Sequence, residues 1–469
     1  MILRARTIVA AWFGAGLLTL GACGDTSAPR EEPEGLRGAL AGQDCVVILL
    51  DALRADALGS YGAEPSPSPA LDRLASNGVR MSQAISQASW TLPSTTSLFT
   101  GLYQETHGLQ FSVGIKPLKL VGAAVTLAEL FADAGYATHS FTQNTFASDA
   151  YGLDQGFESF NMVNYFVDDG DAMARQVREL LDEPSERPRF VYAHFRRPHT
   201  PYDPPAEFLN DAVGAGQEID REAESLGTDA RISQHNSGKL RFTPGEHARH
   251  LELYRANIRA TDAHLADLLA GLQAAGTLVV VLSDHGEAFG EHERYGHNWL
   301  SYQEYVHIPW LMSHPELPRG AVFDEPVMTV DVLPTLAELF ALEADSLAVH
   351  GSSLVPLLEG GAAPRRAAVF SSSRVAGNGR QQLTAFDGRY KLLRDLPGGR
   401  EWLFDLQADP GELTDVTAEH AELAARLSAL LTDWVSSQHA SLASESGELS
   451  AESLENLRAL GYLGDDVGG

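Results

Sequence analysis

Two uninterrupted apolar runs, each followed by an aspartate, constrain the fold of this chain more than any other feature. Residues 45–50 read Cys-Val-Val-Ile-Leu-Leu and lead to Asp51, and residues 278–283 read Leu-Val-Val-Val-Leu-Ser and lead to Asp284. Residues 190–195 form a third run of this kind. Apolar runs without polar alternation are typical of strands covered on both faces, as in a parallel sheet. The sequence therefore predicts such a sheet, with two aspartates at its edge.

Helical patterns separate these strands. Ser68 and Pro69 begin one helix, and Thr126 with Glu129 forms the capping box of another. Residues 246–276 place large apolar side chains on one stripe of a long helix. This alternation predicts an α/β fold with a central, largely parallel sheet and helices on both faces. Ligands bind such sheets at the carboxyl ends of strands, so both aspartates are expected to face one crevice.

The pattern changes in the C-terminal part of the chain. Residues 389–393 and 402–406 predict short strands and residues 423–434 an amphipathic helix, which together indicate a smaller α+β subdomain. Residues 210–243 are polar and aperiodic, so they form either a lid over the crevice or an inert insertion. The predicted organisation is a signal peptide at 1–23, a flexible tether at 24–44, the main α/β domain at 45–364, the subdomain at 365–436 and a tail at 437–469.

The first 23 residues resemble an export signal. Arg4 and Arg6 precede the apolar run 8–20, which is too short to span a bilayer comfortably. Leu-Gly-Ala before Cys23 resembles the cleavage box of a bacterial lipoprotein, and the alternative is an ordinary signal peptide with Cys23 as a free thiol. The small residues before Cys23 and the polar spacer after it favour the lipoprotein. We therefore expect an exported chain that is anchored to a membrane of the bacterial cell envelope through lipid on Cys23.

Charge and cysteine content exclude two classes of protein. The 63 acidic residues exceed the 34 Lys and Arg residues and give a formal net charge of −29, so a nucleic acid is not expected as a partner. Only two cysteines occur, which excludes a disulfide framework.

Acidic, imidazole and hydroxyl side chains mark a candidate metal and nucleophile site. Asp284 and His285 follow an apolar run, and Asp51 brings a second carboxylate to the same edge, a set that suits a divalent cation. Alternatively, each aspartate caps a helix. Pro93 is favoured in the first turn of a helix, which places Thr91 at a helix N-terminus. A hydroxyl beside a cation can act as a nucleophile, whereas the alternative is that Thr91 only caps its helix.

These residues lie in segments that resemble the sulfatase family of the alkaline-phosphatase superfamily. The resemblance extends over almost the whole mature chain and is strongest in VVILLDALRADALGSYG and SDHGEAFGEH. Because Thr91 stands where the family has its nucleophile, the chain resembles a lipoprotein member with threonine at that position. The matching segments are 46–62, 68–79, 91–103, 194–205, 283–292, 296–310, 331–339 and 403–412.

The resemblance implies a metal centre. Asp51, Thr91, Asp284 and His285 match ligands of a metal ion. A convincing ligand set for a second metal is not found, so one divalent cation is expected. Three oxygen ligands and one nitrogen ligand suit Mn²⁺, and they tolerate Ca²⁺ or Zn²⁺.

The resemblance also implies roles for histidines. His199 and His297 match histidines that bind the anionic ester or protonate its leaving group, and a histidine can donate a proton near neutral pH. The alternative for both is an exposed loop histidine. His292 is a further candidate for contact with the metal ligands. Asp262 lies on the apolar stripe of the long helix and is expected to be a structural hydrogen-bond acceptor.

The chain departs from the family pattern in three ways. Formylglycine-dependent members have Cys or Ser in a C/S-x-P-S-R pattern, whereas this chain has Thr91 and Thr95. Oxidation of threonine would give a ketone, so formylglycine chemistry is not expected. Ala52 stands where many members have a second acid, and Arg and Lys are sparse near the motifs.

Three functions are consistent with this pattern. The leading hypothesis is a metal-dependent hydrolase that cleaves an anionic ester of a small molecule, glycan or lipid through Thr91. The ester is a sulfate ester, a phosphodiester or a phosphonate. The second hypothesis is a phospho-headgroup transferase of the cell envelope. The third is a binding lipoprotein without catalytic activity.

Overall fold

The computed structural model describes residues 35–109, 118–120, 122–164, 170–209, 228–297, 299–374, 379–438, 442 and 445–446. The predicted signal peptide with Cys23 lies outside the described residues, as do residues 210–227 of the predicted lid and most of the predicted tail. Within the described ranges, no helix is long and apolar enough to cross a membrane.

A nine-stranded mixed sheet forms the centre of the molecule. The strands of the described residues are β1 Cys45–Leu50, β2 Val79–Ile85, β3 Leu118–Lys119, β4 Ala137–Thr142, β5 Ser159–Met162, β6 Arg189–Phe195, β7 Leu278–Leu282, β8 Ala288–Phe289, β9 Tyr295–Gly296, β10 His307–Ser313, β11 Ala321–Phe323, β12 Val327–Met328, β13 Val369–Arg374, β14 Gln381–Phe386, β15 Tyr390–Leu396, β16 Glu401–Asp405 and β17 Glu445–Ser446. The central order is β11-β2-β10-β7-β1-β6-β4-β5, with β12 paired to β2. Only β10 runs antiparallel to its neighbours, which confirms the predicted, largely parallel sheet.

Helices cover both faces of the sheet because its strands are apolar on both faces. Along β1, Val47 and Leu49 lie in one core cluster, and Val46 and Ile48 lie in a second cluster on the opposite face. The first cluster includes helices Thr91–Thr100, Leu127–Asp133 and Val332–Phe340, and the second includes Pro69–Ser76, Asp171–Asp182 and Pro244–Ala275. The other described α-helices are Gln104–His107, Asp229–Asn236, Gln303–Val306, Val355–Leu358 and Ala421–Ser437. The predicted α/β class is confirmed.

Residues 35–44, the last part of the predicted tether, pack against the folded body. Leu40 is fully buried, and its amide donates a hydrogen bond to the carbonyl of Leu339 at 3.0 Å. The amide of Leu36 donates to Glu359 Oε1 at 2.6 Å. The prediction of a flexible tether is therefore wrong for residues 35–44. Their two leucines were too few to predict packing against the end of the helix Val332–Phe340.

An antiparallel sheet and one helix form the C-terminal subdomain. Strands β13, β14, β15 and β16 pair in chain order. Leu427 and Leu431 of the helix Ala421–Ser437 pack in one core cluster with Leu392 of β15. The two strands predicted at 389–393 and 402–406 correspond to β15 and β16, and the α+β character is confirmed.

The region before the long helix differs from its prediction. The long helix begins at Pro244, two residues before the predicted start, and Thr243 caps it by accepting a hydrogen bond from the amide of Glu246 at 3.2 Å. A short helix, Asp229–Asn236, lies within the segment that was predicted to be aperiodic. Its only large apolar side chain is Ile232, and one such residue in two turns cannot produce a visible helical period.

Asp262 has the structural role that was predicted for it. Its carboxylate accepts hydrogen bonds from the amides of Ala70 and Leu71 at distances of 2.8 to 3.1 Å. These amides begin the helix Pro69–Ser76, and the predicted cap Ser68 makes no capping bond with its side chain. A carboxylate at a helix N-terminus is also favoured by the helix dipole.

Replacing Asp262 with alanine is expected to lower the free energy of unfolding by about 2 kcal/mol, because two buried amides lose a charged acceptor. Urea unfolding of the variant and the parent protein measures this change. The folded variant should keep its catalytic rate, since Asp262 contacts none of the candidate site residues. A change in unfolding free energy below about 0.5 kcal/mol would show that the carboxylate is not needed for this helix.

Candidate active site

Four neighbouring strands bring polar side chains to one edge of the sheet. Asp284 follows β7, Asp51 follows β1, His194 is the last but one residue of β6, and Asn144 follows β4. The order β7-β1-β6-β4 makes these strands adjacent, so their carboxyl ends lie side by side. The predicted convergence of the two aspartates on one crevice is what the structure shows.

The helix Thr91–Thr100 brings the hydroxyl of its first residue to this crevice. Trp90 occupies the N-cap in an extended conformation, and no side chain caps the helix, so Thr91 is not the capping residue. Ser94 Oγ donates a hydrogen bond to the carbonyl of Asp284 at 2.6 Å and ties the first turn of the helix to the strand edge. Thr91 is only 3% exposed.

Asn144 holds the Thr91 hydroxyl and one aspartate together. Its Oδ1 accepts a hydrogen bond from the amide of Phe146 at 2.8 Å, which orients the side-chain NH₂ towards the crevice. That NH₂ donates to Asp51 Oδ2 and, at 3.2 Å, to Thr91 Oγ1. A hydroxyl oxygen that accepts a hydrogen bond is stabilised in its anionic form.

His285 directs one ring nitrogen at the same point. Its Nδ1 donates to the carbonyl of Gly286 at 2.8 Å, which leaves a lone pair on Nε2. Nε2 lies 3.6 Å from Asp51 Oδ1, 3.5 Å from Asp284 Oδ2 and 3.5 Å from Thr91 Oγ1. The structure therefore brings together all four residues that were predicted as metal ligands.

The donor atoms in this crevice fit a cation. Asp51 Oδ1, Asp284 Oδ2 and His194 Nε2 are buried and have no hydrogen-bond partner in the described part of the chain. One donor atom from each of these three residues lies within 4.8 Å of the other two. Buried polar atoms without partners are costly, and three of them directed at one point are what a metal site requires.

The pKa shifts of the buried groups in the crevice also favour a cation site. Burial raises the pKa of Asp51 to about 6, and it raises the pKa of Asp284, which the charge of Asp51 raises further. Burial lowers the pKa of His194 to about 4, so its imidazole is neutral at pH 7. Two carboxylates that resist ionisation and a neutral imidazole form a set that a bound divalent cation would stabilise in its ligating form.

His199 and His297 lie beside His285. The ring centroids of His285 and His297 are 4.5 Å apart, and those of His199 and His297 are 4.7 Å apart. Glu287 Oε1 accepts a hydrogen bond from His297 Nδ1 at 3.1 Å. Burial, followed by the charge of Arg196, lowers the pKa of His199 well below its usual value. Neither histidine is the exposed loop residue that the local sequence allowed.

Arg196 corrects the expectation that cations are sparse near these segments. Its side chain is buried, and its Nη2 lies 3.2 Å from His199 Nδ1. Its charge also lowers the pKa of Asp51, although less than burial raises it. A guanidinium in this position is suited to an anionic ester.

His292 does not contact the candidate ligands in the described structure. Its Nδ1 lies 2.9 Å from Glu304 Oε1, and its ring stacks on Tyr302 at 3.6 Å between centroids. The prediction of a contact with the metal ligands is therefore wrong for this residue. His292 has a φ of 49°, a left-handed conformation that is uncommon for a residue other than glycine.

Comparison with known proteins identifies the family of this chain. The sulfatase family model matches residues 43–342, and the model for the C-terminal region of N-sulphoglucosamine sulphohydrolase matches residues 290–437. The first match covers more than half of the chain. The chain therefore belongs to the sulfatase family of the alkaline-phosphatase superfamily, and it is a hydrolase that acts on ester bonds.

Individual relatives share the fold at low sequence identity. An arylsulfatase of Clostridium perfringens is 25% identical over 79% of this chain and 89% of its own length. A structure solved with its substrate D-glucosamine-2-N,6-O-disulfate has a TM-score of 0.70 at 18% identity and covers 84% of this chain and 97% of its own. The phosphonate monoester hydrolase of Agrobacterium radiobacter has a TM-score of 0.66 at 21% identity and covers 84% and 95%.

Proposed function

We propose that this chain is a metal-dependent hydrolase of an anionic ester, with Thr91 as the nucleophile. The ester is a sulfate ester, a phosphodiester or a phosphonate. The convergence of the Thr91 hydroxyl with Asp51, Asp284 and His285 at one buried point carries the proposal. A buried hydroxyl without a helix-capping role, beside two carboxylates and an imidazole lone pair, has the surroundings of a metal-activated nucleophile.

The proposed cofactor is one divalent cation. Asp51, Thr91, Asp284 and His285 would hold it, and His194 Nε2 is a further candidate ligand. This set of oxygen and nitrogen donors suits Mn²⁺, with Ca²⁺ or Zn²⁺ as alternatives. When bound, such a cation lowers the pKa of a hydroxyl and neutralises charge on the ester.

The residues of the chain supply the remaining chemistry. Asn144 donates a hydrogen bond to Thr91 Oγ1 and stabilises the deprotonated oxygen that attacks phosphorus or sulfur. Arg196 is placed to bind the negative charge of the ester. His297 donates a proton to the departing ester oxygen, and His199, whose pKa is lowered by burial, binds the ester as a neutral imidazole. Water then cleaves the Thr91-linked intermediate and restores the hydroxyl.

A threonine nucleophile restricts the esters that the protein can turn over repeatedly, because it limits how the covalent intermediate can be released. The aldehyde hydrate of formylglycine can expel sulfate by reforming its aldehyde, whereas an ester of Thr91 has no such route. Water must therefore attack phosphorus or sulfur directly in the second step. This attack is routine at phosphorus beside a metal and harder to achieve at sulfur, which favours phosphodiesters and phosphonates as substrates.

A panel of three nitrophenyl esters tests the function and the ester type together. Purified protein lacking residues 1–23, with Mn²⁺ present, is expected to turn over bis(4-nitrophenyl) phosphate and 4-nitrophenyl phenylphosphonate many times. 4-Nitrophenyl sulfate is expected to release one equivalent of nitrophenol per protein and then stall as a Thr91 sulfate. Intact-protein mass spectrometry detects that adduct. Multiple turnovers of the sulfate without an adduct would contradict the inferred second step.

The N-terminal segment joins the folded body on the side of the sheet opposite the candidate site. The carbonyl of Asp44 accepts from the amide of Leu278, and Asp44 Oδ1 accepts from the amide of Arg189 at 2.7 Å, so the segment 35–44 meets the amino ends of β7 and β6. The candidate site lies at the carboxyl ends, across strands of about 20 Å. With 11 residues between them, Cys23 and Gly35 can lie about 40 Å apart at most.

With the proposed lipid on Cys23, the tether is long enough to let the crevice turn towards the membrane or towards the solvent. The anchor therefore does not separate the two functions, and we rank the phospho-headgroup transferase second because the matching family model and relatives are sulfatases. Labelling cells with a palmitate analogue tests the anchor. We expect the analogue to label the chain, and we expect no label on the Cys23→Ser variant.

A binding lipoprotein without activity is the third candidate. It was suggested by Ala52 in the place of a second acid and by the apparent scarcity of cations. Ala52 has a φ of 58° and donates its amide to Asp284 Oδ1 at 3.1 Å, so this position orients one ligand without adding another. With Arg196 also beside the crevice, the support for a non-catalytic function is weak.

A further inference from the structure

Glu287 is a buried carboxylate beside the candidate site, and the chemistry proposed above gives it no role. It lies two residues after His285, and its side chain has no exposed surface. Its Oε1 accepts a hydrogen bond from His297 Nδ1 at 3.1 Å. The side chain of His297 keeps an exposed fraction of 12%. A substrate can therefore reach His297, whereas Glu287 can affect a substrate only through that imidazole.

The ring of His297 stands among the histidines of the crevice. Its centroid lies 4.5 Å from that of His285, a candidate metal ligand, and 4.7 Å from that of His199. The hydrogen bond to Glu287 uses Nδ1, and the two nitrogens of an imidazole lie on different sides of the ring. The proton that His297 is proposed to donate would then come from Nε2.

The backbone that leads to His297 is held independently of Glu287. Asn236 Nδ2 donates a hydrogen bond to the carbonyl of Tyr295 at 2.9 Å, and Asn236 Oδ1 accepts one from the amide of Tyr295 at 3.1 Å. Gly296, directly before the histidine, has a φ of 69°, which glycine adopts without strain. A change at Glu287 should therefore alter the orientation of the imidazole and leave the path of the chain intact.

We propose that Glu287 is a positioning residue for His297, an inference that rests on the proposed function. Its carboxylate holds Nδ1–H and directs Nε2–H at the departing ester oxygen. The negative charge of Glu287 also balances the positive charge of the donating imidazolium, as a carboxylate does beside the histidine of a catalytic triad.

The proton and the electron pairs balance in this step. As Thr91 attacks, the bond from phosphorus or sulfur to the departing oxygen breaks, and its electron pair stays on that oxygen. The oxygen takes the Nε2 proton, and His297 becomes neutral with Nδ1–H still on Glu287. The water that cleaves the Thr91-linked intermediate returns a proton to Nε2.

Two phosphonates that differ only in the leaving group test this role. Phenoxide needs a proton to depart more than 4-nitrophenoxide does, because the nitro group stabilises the negative charge. In Glu287→Gln, which keeps the side-chain size, kcat/KM for phenyl phenylphosphonate is expected to fall about a hundredfold and for 4-nitrophenyl phenylphosphonate less than about fivefold. The protein lacks residues 1–23, and Mn²⁺ is kept in excess because the charge of Glu287 also acts on Asp51.

Two further variants separate positioning from support of the fold. His297→Ala should show the same selectivity as Glu287→Gln, and the double variant should be no slower than His297→Ala, since the two residues act as a unit. Glu304→Gln is the matched control, because Glu304 Oε1 lies 2.9 Å from Nδ1 of His292, which contacts none of the candidate ligands. It should leave both rates unchanged. Equal losses with both phosphonates in Glu287→Gln, or losses that add in the double variant, would overturn the proposal.

NMR of the protein with ¹⁵N-labelled histidine examines the His297 ring without any turnover. The signals that disappear in His297→Ala assign this ring. Nδ1 should carry a proton in the parent protein and should lose it in Glu287→Gln, whose amide can donate to it. A parent protein with unprotonated Nδ1 would overturn the proposal. If the parent cleaved neither phosphonate, the proposed function would fail and this role with it, and the spectrum would show whether the hydrogen bond itself exists.

Discussion

Replacing Thr91 with alanine is expected to lower kcat by about a thousandfold or more, as the removal of a nucleophile does in other hydrolases. The alanine variant keeps the metal ligands Asp51, Asp284 and His285, so it should still bind the ester and the cation. Thr91→Ser retains the hydroxyl and should keep kcat within about tenfold of the parent value. Steady-state kinetics with bis(4-nitrophenyl) phosphate measures both variants.

Thr96→Val is the matched control for this experiment. Thr96 lies in the same buried helix, but its hydroxyl donates to the carbonyl of Leu92 at 2.6 Å and does not face the crevice. Its loss should leave kcat nearly unchanged. If Thr91→Ala and Thr96→Val had equal rates, the hydroxyl at position 91 would not be the nucleophile, and the reaction would have to proceed by direct attack of water.

The sequence was sufficient to predict the sheet and the two aspartates because their signal is local. The run Cys45–Leu50 is buried on both faces, and the residue after it must then emerge at an edge. The same reasoning applies to Asp284 after β7. The order of these strands in the sheet is not a local property, but any parallel arrangement brings their carboxyl ends to one edge.

The same reasoning did not predict that Asn144, His194 and Arg196 belong to the candidate site. His194 lies within an apolar run, where a histidine reads as a satisfied core residue, and only the pairing of His194 with Leu49 of β1 reveals its nearness to Asp51. Asn144 follows β4, which reads Ala-Thr-His-Ser-Phe-Thr. Because this segment is not an apolar run, the sequence pattern did not predict a buried strand there. Had β4 been recognised and placed next to β6, the rule that ligands gather at strand ends would have pointed to Asn144.

Chelation of the cation is expected to lower kcat by about a thousandfold or more, because Lewis-acid stabilisation contributes several kcal/mol and about 1.4 kcal/mol is a factor of ten. Dialysis against EDTA followed by re-addition of Mn²⁺, Ca²⁺ or Zn²⁺ measures the loss and the recovery. Asp51→Asn and Asp284→Asn are expected to remain inactive after re-addition. Full activity in EDTA would contradict the proposed role of the carboxylates.

Removal of the cation should also change the thermal stability of the protein, and this change can be measured independently of catalytic activity. Burial raises the pKa of Asp51 to about 6 in the folded, metal-free protein, above its value of about 4 in an unfolded chain. Between these values the folded state retains a proton that the unfolded state loses, so Asp51 makes the metal-free protein less stable as pH rises from about 4 to 6. Metal binding requires the ionised carboxylate, so its stabilisation grows with pH.

The difference in Tm between metal-loaded and metal-free protein should therefore widen from pH 5 to pH 7. Asp51→Asn should remove this difference. Asp262→Asn is a matched control, because burial raises the pKa of Asp262 to about 6 as well, but its carboxylate caps the helix Pro69–Ser76 and not the crevice. That variant should keep the full response to metal. If both variants lost the response equally, metal would be stabilising the fold in general and not through the carboxylate beside Thr91.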